Sequence, residues 1–133
     1  MSKILKIAVC SAVLTVSVTS FAKDLAQEKG IICAGFYANV LALQDSHDDI
    51  RMMGAKKFKY MMDNINLYQN KMGVSEESLN SATTRAKDID LAPLKLFYAD
   101  MKSKIESGKV SDSEAPSLLL NYFKAREKKL GCK

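Results

Sequence analysis

The sequence predicts an all-α fold, a small antiparallel bundle of four to five helices joined by one disulfide between the first and last helices. Apolar residues recur at three- and four-residue spacing along most of the chain, which is the pattern of helices with one buried face. Only 6 Gly and 2 Pro occur among the 133 residues, so turns are few and a turn-rich β sandwich is excluded. Two widely separated cysteines supply the predicted bridge. The length suits one domain.

The N-terminal segment has the pattern of a secretory signal peptide. Residues 1–6 carry two lysines and no acid, residues 7–18 are apolar apart from Ser and Thr, and small residues precede the boundary after Ala22. The apolar run is shorter than the roughly 20 residues that a membrane-spanning helix needs. We therefore expect residues 1–22 to be removed and residues 23–133 to form a single helical domain in the periplasm or outside the cell. No later segment is apolar for long enough to span a membrane.

Two cysteines remain once the predicted leader, with Cys10, is gone. Cys33 and Cys132 form an even pair in an oxidising compartment, so only one intramolecular disulfide is possible. They lie 99 residues apart, so the bridge closes almost the whole domain. A loop of this length is worth about 4.7 kcal/mol in the chain-entropy model of disulfide stabilisation.

The first two helices are defined by apolar stripes and by residues that start or stop a helix. The first is predicted over residues 24–43, where Gly30 and Gly35 would let a neighbouring helix approach closely. The second is predicted from a cap at Ser46 to a left-handed stop at Gly73. The stripe of the second helix comprises Ile50, Met53, Phe58, Met61, Ile65, Tyr68 and Met72.

A strong start signal opens the third helix. Ser75 is the predicted cap, and Val74 can pack onto Leu79 as a hydrophobic staple. Its buried stripe is predicted to comprise Leu79, Ala82, Ala86 and Ile89. Pro93 then disturbs the hydrogen-bond ladder, because proline has no amide hydrogen.

The fourth and fifth segments follow the same pattern. The fourth carries Leu94, Phe97, Tyr98, Met101 and Ile105 and ends at Gly108. Ser113 is the predicted cap of the fifth segment, because it places Pro116 in the first turn, where a missing amide hydrogen does no harm. This segment carries Leu119, Tyr122, Phe123 and Leu130 on its apolar stripe. Gly131 is its predicted stop.

The predicted disulfide constrains the topology of these segments. Bridged Cα atoms lie about 4.4–6.8 Å apart, so the last helix should return antiparallel beside the first. Short loops alternate the helix direction, which requires an even number of helices. Five segments conflict with that requirement unless the two on either side of Pro93 form one bent helix, or one of them lies across the bundle.

The composition removes most catalytic and metal-binding chemistry. With no Trp and a single His, a Ser–His–Asp arrangement could use only His47, and no second His or free Cys is present to build a zinc site. Asp45, Asp48 and Asp49 surround His47, and we interpret this cluster as a solvated loop and helix cap. The sequence therefore predicts no catalytic residue, no metal site and no cofactor. Without Lys3 and Lys6 the net charge falls from +5 to +3, too little to indicate nucleic-acid binding.

The methionines allow two interpretations. Thioethers can bind Cu(I), but methionine is also a flexible core filler. Met53, Met61 and Met72 lie on the apolar stripe of the second helix, which favours the core. Met52 and Met62 lie off it, and they are candidates for an adaptable binding surface.

A basic run occupies the end of the last helix: Lys124, Arg126, Lys128, Lys129 and Lys133. Cations near a helix C-terminus offset the negative end of its dipole, worth about 0.3–1 kcal/mol each at best. A bridge at Cys132 would hold this end rigidly, so the first four of these residues are also candidates for binding a partner.

Together these features favour a non-enzymatic periplasmic or secreted binding protein. An inhibitor, an immunity protein or a chaperone-like module acting on another protein of the bacterial envelope fits the absence of catalytic residues. A small-ligand or copper carrier is the alternative, and it rests on the methionines and on the tyrosines expected at the edge of the core. The sequence leaves the oligomeric state open.

Overall fold

A computed structural model of the chain describes residues 25–43 and 47–133. Within those ranges it contains four α-helices, one π-helical turn and no strand, which confirms the predicted all-α bundle. The helices are α1 (Lys29–Leu41), α2 (Asp48–Asn64), α3 (Glu76–Glu106) and α4 (Ala115–Leu130), and the π-helical turn is Ile65–Lys71. The predicted signal peptide and the predicted cap at Ser46 lie outside the described residues.

Helix α1 is the centre of the bundle and packs against the other three helices. Phe36, Tyr37 and Val40 are fully buried. A Cβ atom on Gly35 would lie 2.6 Å from the backbone nitrogen of Lys87, so only glycine lets α1 and α3 cross this closely. The predicted close approach at Gly35 is therefore confirmed. The helix begins later than expected, at Lys29.

Helix α2 begins with His47 as its cap. The Nδ1 atom of His47 accepts a hydrogen bond of 3.1 Å from the amide nitrogen of Asp49. After Asn64 the helix widens into the π-helical turn, for which the sequence offered no signal. The helical segment ends before Gly73, and the φ of 72° at this residue confirms the predicted left-handed stop.

The predicted apolar stripe of α2 is partly wrong. Met53 is buried, but Phe58 is 59% exposed, and Met61 and Met72 are exposed as well. Phe58 follows Met53 by five residues, which places it about 140° further around an α-helix. The stripe therefore combined residues from two faces, and only the face that carries Ile50 and Met53 packs against α1.

Helix α3 is a single α-helix of 31 residues that contains Pro93. The segments on either side of Pro93 therefore form one helix, which is one of the alternatives that the sequence left open, and the count of four helices among the described residues removes the topological conflict. Ser75 caps α3 as predicted, because its Oγ accepts a 3.1 Å hydrogen bond from the amide of Ser78. The prediction that Ile89 lies on the buried face of α3 was wrong. Ile89 is 66% exposed, whereas the neighbouring Asp90 is only 5% exposed.

Helix α4 returns beside α1, and the disulfide joins them. Cys33 and Cys132 are bridged with a Cα–Cα distance of 5.7 Å, as predicted. The predicted cap was wrong: Glu114 is the N-cap residue and makes no side-chain capping hydrogen bond, while the hydroxyl of Ser113 lies 3.0 Å from that of Ser111. Gly131, with φ of 73°, ends the helix as predicted.

The core consists of two apolar clusters. The first draws on all four helices around the disulfide and contains the fully buried Phe36 and Tyr37. The second lies beside the start of α1, at Ile31, and contains Tyr68 together with the small side chains of Ala82 and Ala86. Among the described residues, no helix is long and apolar enough to cross a bilayer.

Candidate functional site

The predicted basic patch divides into two faces of α4. Lys124 and Lys128 are one helical turn apart and lie on the same side, whereas Arg126 and Lys129 share another side. Lys124 lines a groove between α2 and α4. Arg126 and Lys129 line a separate depression beside Pro93 of α3. The four residues therefore do not form one surface.

The α2–α4 groove is open and has a volume of about 480 Å³. It is lined by Asp49, Met52, Met53, Lys56, Leu120, Lys124 and Glu127. Met52 is 72% exposed and offers its thioether to solvent on the α2 side. Lys124 makes no hydrogen bond or ion pair to any residue that the structure describes. The groove thus combines an accessible apolar side chain with an uncommitted cation.

A carboxylate on the floor of the groove joins three helices. The Oε2 atom of Glu127 accepts a 2.6 Å hydrogen bond from the hydroxyl of Tyr37 and lies 3.0 Å from the Nζ of Lys56. The ring of Tyr37 stacks on Tyr60 with a centroid distance of 5.4 Å. Burial and the neighbouring Glu127 carboxylate raise the pKa of Tyr37 well above its usual value, so its hydroxyl stays protonated as a donor. The side chains of Tyr37, Lys56 and Glu127 therefore form one hydrogen-bonded network at the floor of the groove.

The charges at the rims of the groove differ. Lys56 and Glu127 compensate each other, which leaves Lys124 as the uncompensated cation of the groove lining. Lys128 lies one helical turn further along α4, beyond the lining, and we call these two lysines the cationic rim. On the α2 side, Asp49 lies at the start of the helix, with its Oδ2 atom 3.7 Å from His47. A bound segment would thus meet positive charge along α4 and negative charge only at one end of α2.

The opposite face of α4 contains a buried ion pair. The Nε atom of Arg126 donates a 2.8 Å hydrogen bond to the Oδ1 atom of Asp90 and links α4 to α3. Arg126 is therefore a structural cation rather than a free one. Beside this pair, the buried hydroxyl of Tyr122 has no hydrogen-bond partner among the described residues. Burial, followed by the charge of Asp90, raises the pKa of Tyr122, and Arg126 opposes the shift.

The exposed methionines do not form one surface. Met52 lines the groove, whereas Met62 follows it by ten residues, almost three helical turns, and lies nearer Phe58. Phe58, Met61 and Met62 are exposed at spacings of three and four residues and form an apolar strip on α2 outside the groove. The predicted pair of Met52 and Met62 is therefore separated.

Residues of metal-ligand type are dispersed. His47 caps α2, and Asp48 pairs with Arg51 at 3.2 Å. Asp45 lies outside the described residues. Within the described ranges, no three His, Cys, Asp or Glu side chains converge on a point that could hold an ion.

The sequence did not predict the burial of Asp90, the unpaired hydroxyl of Tyr122 or the role of Glu127. One signal was available for Asp90: it lies four residues after Ala86 and four before Leu94, both of which are buried on α3. A carboxylate in the register of a buried stripe indicates an internal partner. That partner, Arg126, lies 36 residues later, and nothing local points to it.

The chain matches no family model, no curated protein and no solved structure.

Proposed function

We propose that this chain is a non-enzymatic binding protein of the bacterial periplasm, or a secreted one, that holds another envelope protein in the α2–α4 groove. An inhibitor, an immunity protein or a chaperone-like module would act in this way. The observation that carries the proposal is the presence of the exposed Met52 and the unpaired Lys124 in one groove. Exposed methionines adapt to apolar partners, and exposed apolar side chains beside polar ones mark interaction sites.

The rigidity of the groove supports this function. The Cys33–Cys132 bridge fixes the end of α4, and Glu127 ties the same helix to α1 and α2. Ordering flexible side chains and loops costs free energy on association, and a surface that is already ordered avoids much of that cost. A long-range disulfide is also typical of oxidising compartments, in agreement with the predicted leader.

The charges favour a partner segment with an acidic and an apolar side. Apolar side chains of such a segment would contact Met52 and Leu120, while its carboxylates would face Lys124 in the groove. A segment that continues along α4 would then reach Lys128, one helical turn further on. Complementary charge of this kind acts mainly on the association rate. Because both lysines are near the surface, salt should screen the effect.

The proposal is tested by comparing two charge-reversal variants of α4. Affinity-tagged protein, exported through its own leader, is used to capture partners from periplasmic extract. The Lys124→Glu, Lys128→Glu double variant reverses the rim of the groove, and Lys129→Glu is the matched control on the other face. We expect wild type and the control to retain the same stoichiometric partner and the double variant to lose most of it.

The captured partner, once purified, allows a kinetic test. The double variant should associate several times more slowly than wild type at low salt, and the difference should shrink as salt rises. Association rates that are unchanged in the double variant at low salt would contradict the proposal, as would an equal loss in Lys129→Glu.

Copper carriage is the second candidate, because Met52 and Met53 line the same groove. Met53 is only 6% exposed, so a single accessible thioether faces solvent there. We expect competition with a Cu(I) chelator to show no submicromolar affinity. Submicromolar binding that disappears in the Met52→Leu, Met62→Leu variant would favour a carrier instead.

A further inference from the structure

We propose that a second cavity, lined by residues 26 and 27 and by α1, α3 and α4, binds the zwitterion of a small aliphatic α-amino acid. This site lies on the Asp90 side of α4, away from the α2–α4 groove, and does not depend on the proposed function. We call it the Asp90 cavity. It is lined by Ala26, Gln27, Ile32, Ala86, Ile89, Asp90, Arg126 and Leu130.

The size of the Asp90 cavity selects a small ligand. Its volume is about 190 Å³. That is several times the roughly 30 Å³ share of one water molecule and below the roughly 300–1,000 Å³ of sites for drug-sized ligands. Most of the wall is aliphatic and includes Ile32, Ile89 and Leu130. The cavity therefore suits a compact ligand with an aliphatic body.

The polar end of the cavity has unused hydrogen-bonding capacity. Asp90 is more than nine-tenths buried, yet a single hydrogen bond, from Nε of Arg126 to Oδ1, joins it to its partner. Neither side chain has another hydrogen-bond partner in the part of the chain that the structure describes. A carboxylate can accept at both oxygens, and a guanidinium has five N–H donors. One carboxylate oxygen and both terminal nitrogens of Arg126 thus remain available.

Buried polar groups with unused capacity are uncommon, because leaving them unpaired costs free energy. Next to the pair, the hydroxyl of Tyr122 is the one buried side-chain oxygen or nitrogen of the described residues without a hydrogen-bond partner, and the charges of Asp90 and Arg126 act on it. A simple structural ion pair would more often be saturated by two parallel hydrogen bonds. The single hydrogen bond of this pair leaves Asp90 able to accept from a further donor and Arg126 able to donate to a further acceptor.

The charge balance selects a zwitterion. Asp90 and Arg126 already neutralise each other, so a ligand with net charge would leave that charge uncompensated in an apolar cavity. An ammonium group can donate to the free oxygen of Asp90 while the adjacent carboxylate accepts from the terminal nitrogens of Arg126. An aliphatic α-amino acid carries both groups on one carbon, and its side chain suits the aliphatic wall.

The binding test uses L-leucine and three truncated probes. Isopentylamine lacks the carboxylate, 4-methylpentanoate lacks the amino group, and glycine lacks the side chain. We expect saturable ¹H–¹⁵N chemical-shift changes with L-leucine around Ile32, Ile89 and Leu130. Each truncated probe should bind at least about tenfold more weakly, because it forfeits a charge-assisted hydrogen bond or the aliphatic contact.

Two variants of α3 localise the binding. Ile89→Trp fills the mouth of the cavity from an exposed position and should abolish L-leucine binding. Leu96→Trp is the matched control, since Leu96 is equally exposed on α3 but does not line the cavity. Asp90→Asn keeps an oxygen for the Nε of Arg126 and should weaken binding about tenfold or more through loss of the charge.

Two outcomes would overturn the assignment. One is the absence of saturable shifts with about 10 mM L-leucine, a concentration that nearly fills even a millimolar site. The other is equal binding by the Ile89→Trp and Leu96→Trp variants. The Lys124→Glu, Lys128→Glu variant should bind L-leucine as wild type does, so failure of the groove proposal leaves this test unaffected.

Discussion

The two faces of α4 use the same kinds of charged residue in different ways. On the face towards α3, Arg126 reaches a carboxylate that the fold has buried. On the face towards α2, Glu127 is the residue committed to the interior, through Tyr37 and Lys56, and Lys124 remains unpaired at the rim. In the sequence these residues form one basic run with a single acid. The role of each charge thus depends on what the neighbouring helix offers it.

The two faces of α4 should therefore contribute unequally to the free energy of unfolding. Removing one member of a buried ion pair leaves a charge without compensation, which typically costs about 3–5 kcal/mol. Removing an exposed lysine typically changes stability by no more than about 0.5 kcal/mol. Substitutions only two residues apart on α4 should therefore differ severalfold in their effect.

The largest effect should come from the bridge that anchors both faces. Replacing Cys33 and Cys132 by Ala should lower the free energy of unfolding by about 4 kcal/mol, because the open chain gains conformational freedom in the unfolded state. Urea denaturation of the two proteins measures the difference. Amide exchange should then accelerate on both faces of α4, and acceleration on one face only would show that the bridge supports that face alone.

The second largest effect should distinguish the stability contributions of the two faces of α4, and it is tested by one substitution on each face. Arg126→Met should cost about 3 kcal/mol, because it strands Asp90, whereas the matched Lys124→Met should stay within about 0.5 kcal/mol of wild type. Adding Asp90→Leu to Arg126→Met should restore most of the loss, since apolar pairs often replace buried ion pairs without cost. Equal losses for the two single variants would show that the ion pair contributes nothing beyond an exposed lysine.

The sequence predicted best what is local. The left-handed stops at Gly73, Gly108 and Gly131 and the cap at Ser75 depend on a few neighbouring residues, and the structure contains all four. The disulfide was predictable because assigning Cys10 to the predicted leader leaves one possible pairing, Cys33 with Cys132.

The faces of the helices were harder to predict because burial is decided by non-local packing. Phe58 and Ile89 were assigned to the core from their apolar character and helical spacing, yet more than half of each side chain is exposed. Asp90 occupies the buried register instead, and its counter-charge comes from another helix. The α2–α4 groove could not be predicted from the sequence for the same reason, because no local signal shows that Met52 and Lys124 line it together.

A smaller effect should arise from the network on the α2 side. Tyr37→Phe removes a hydrogen bond to a carboxylate and should cost about 1.5 kcal/mol near pH 8. Burial raises the pKa of Tyr37 in the folded protein, so its share of the stability is present below the unfolded value of about 10 and lost as pH rises above it. The variant lacks this group, so its stability should fall less steeply than that of wild type above pH 10. Parallel curves for the two proteins would contradict the assignment.

The smallest effect separates a helix-capping role from a docking role on the rim of the groove. Lys128 lies in the last turn of α4, where a cation offsets the negative end of the dipole, whereas Lys124 lies nearly two turns from the end. Lys128→Glu should therefore lower the free energy of unfolding by about 0.5 kcal/mol at low salt, with the loss vanishing at high salt, and Lys124→Glu should leave it unchanged. Denaturation of both variants at two salt concentrations measures this. Because Lys124 has no capping role to lose, slower partner association in Lys124→Glu alone would come from docking, whereas a loss of stability there would reveal a structural contact within the protein.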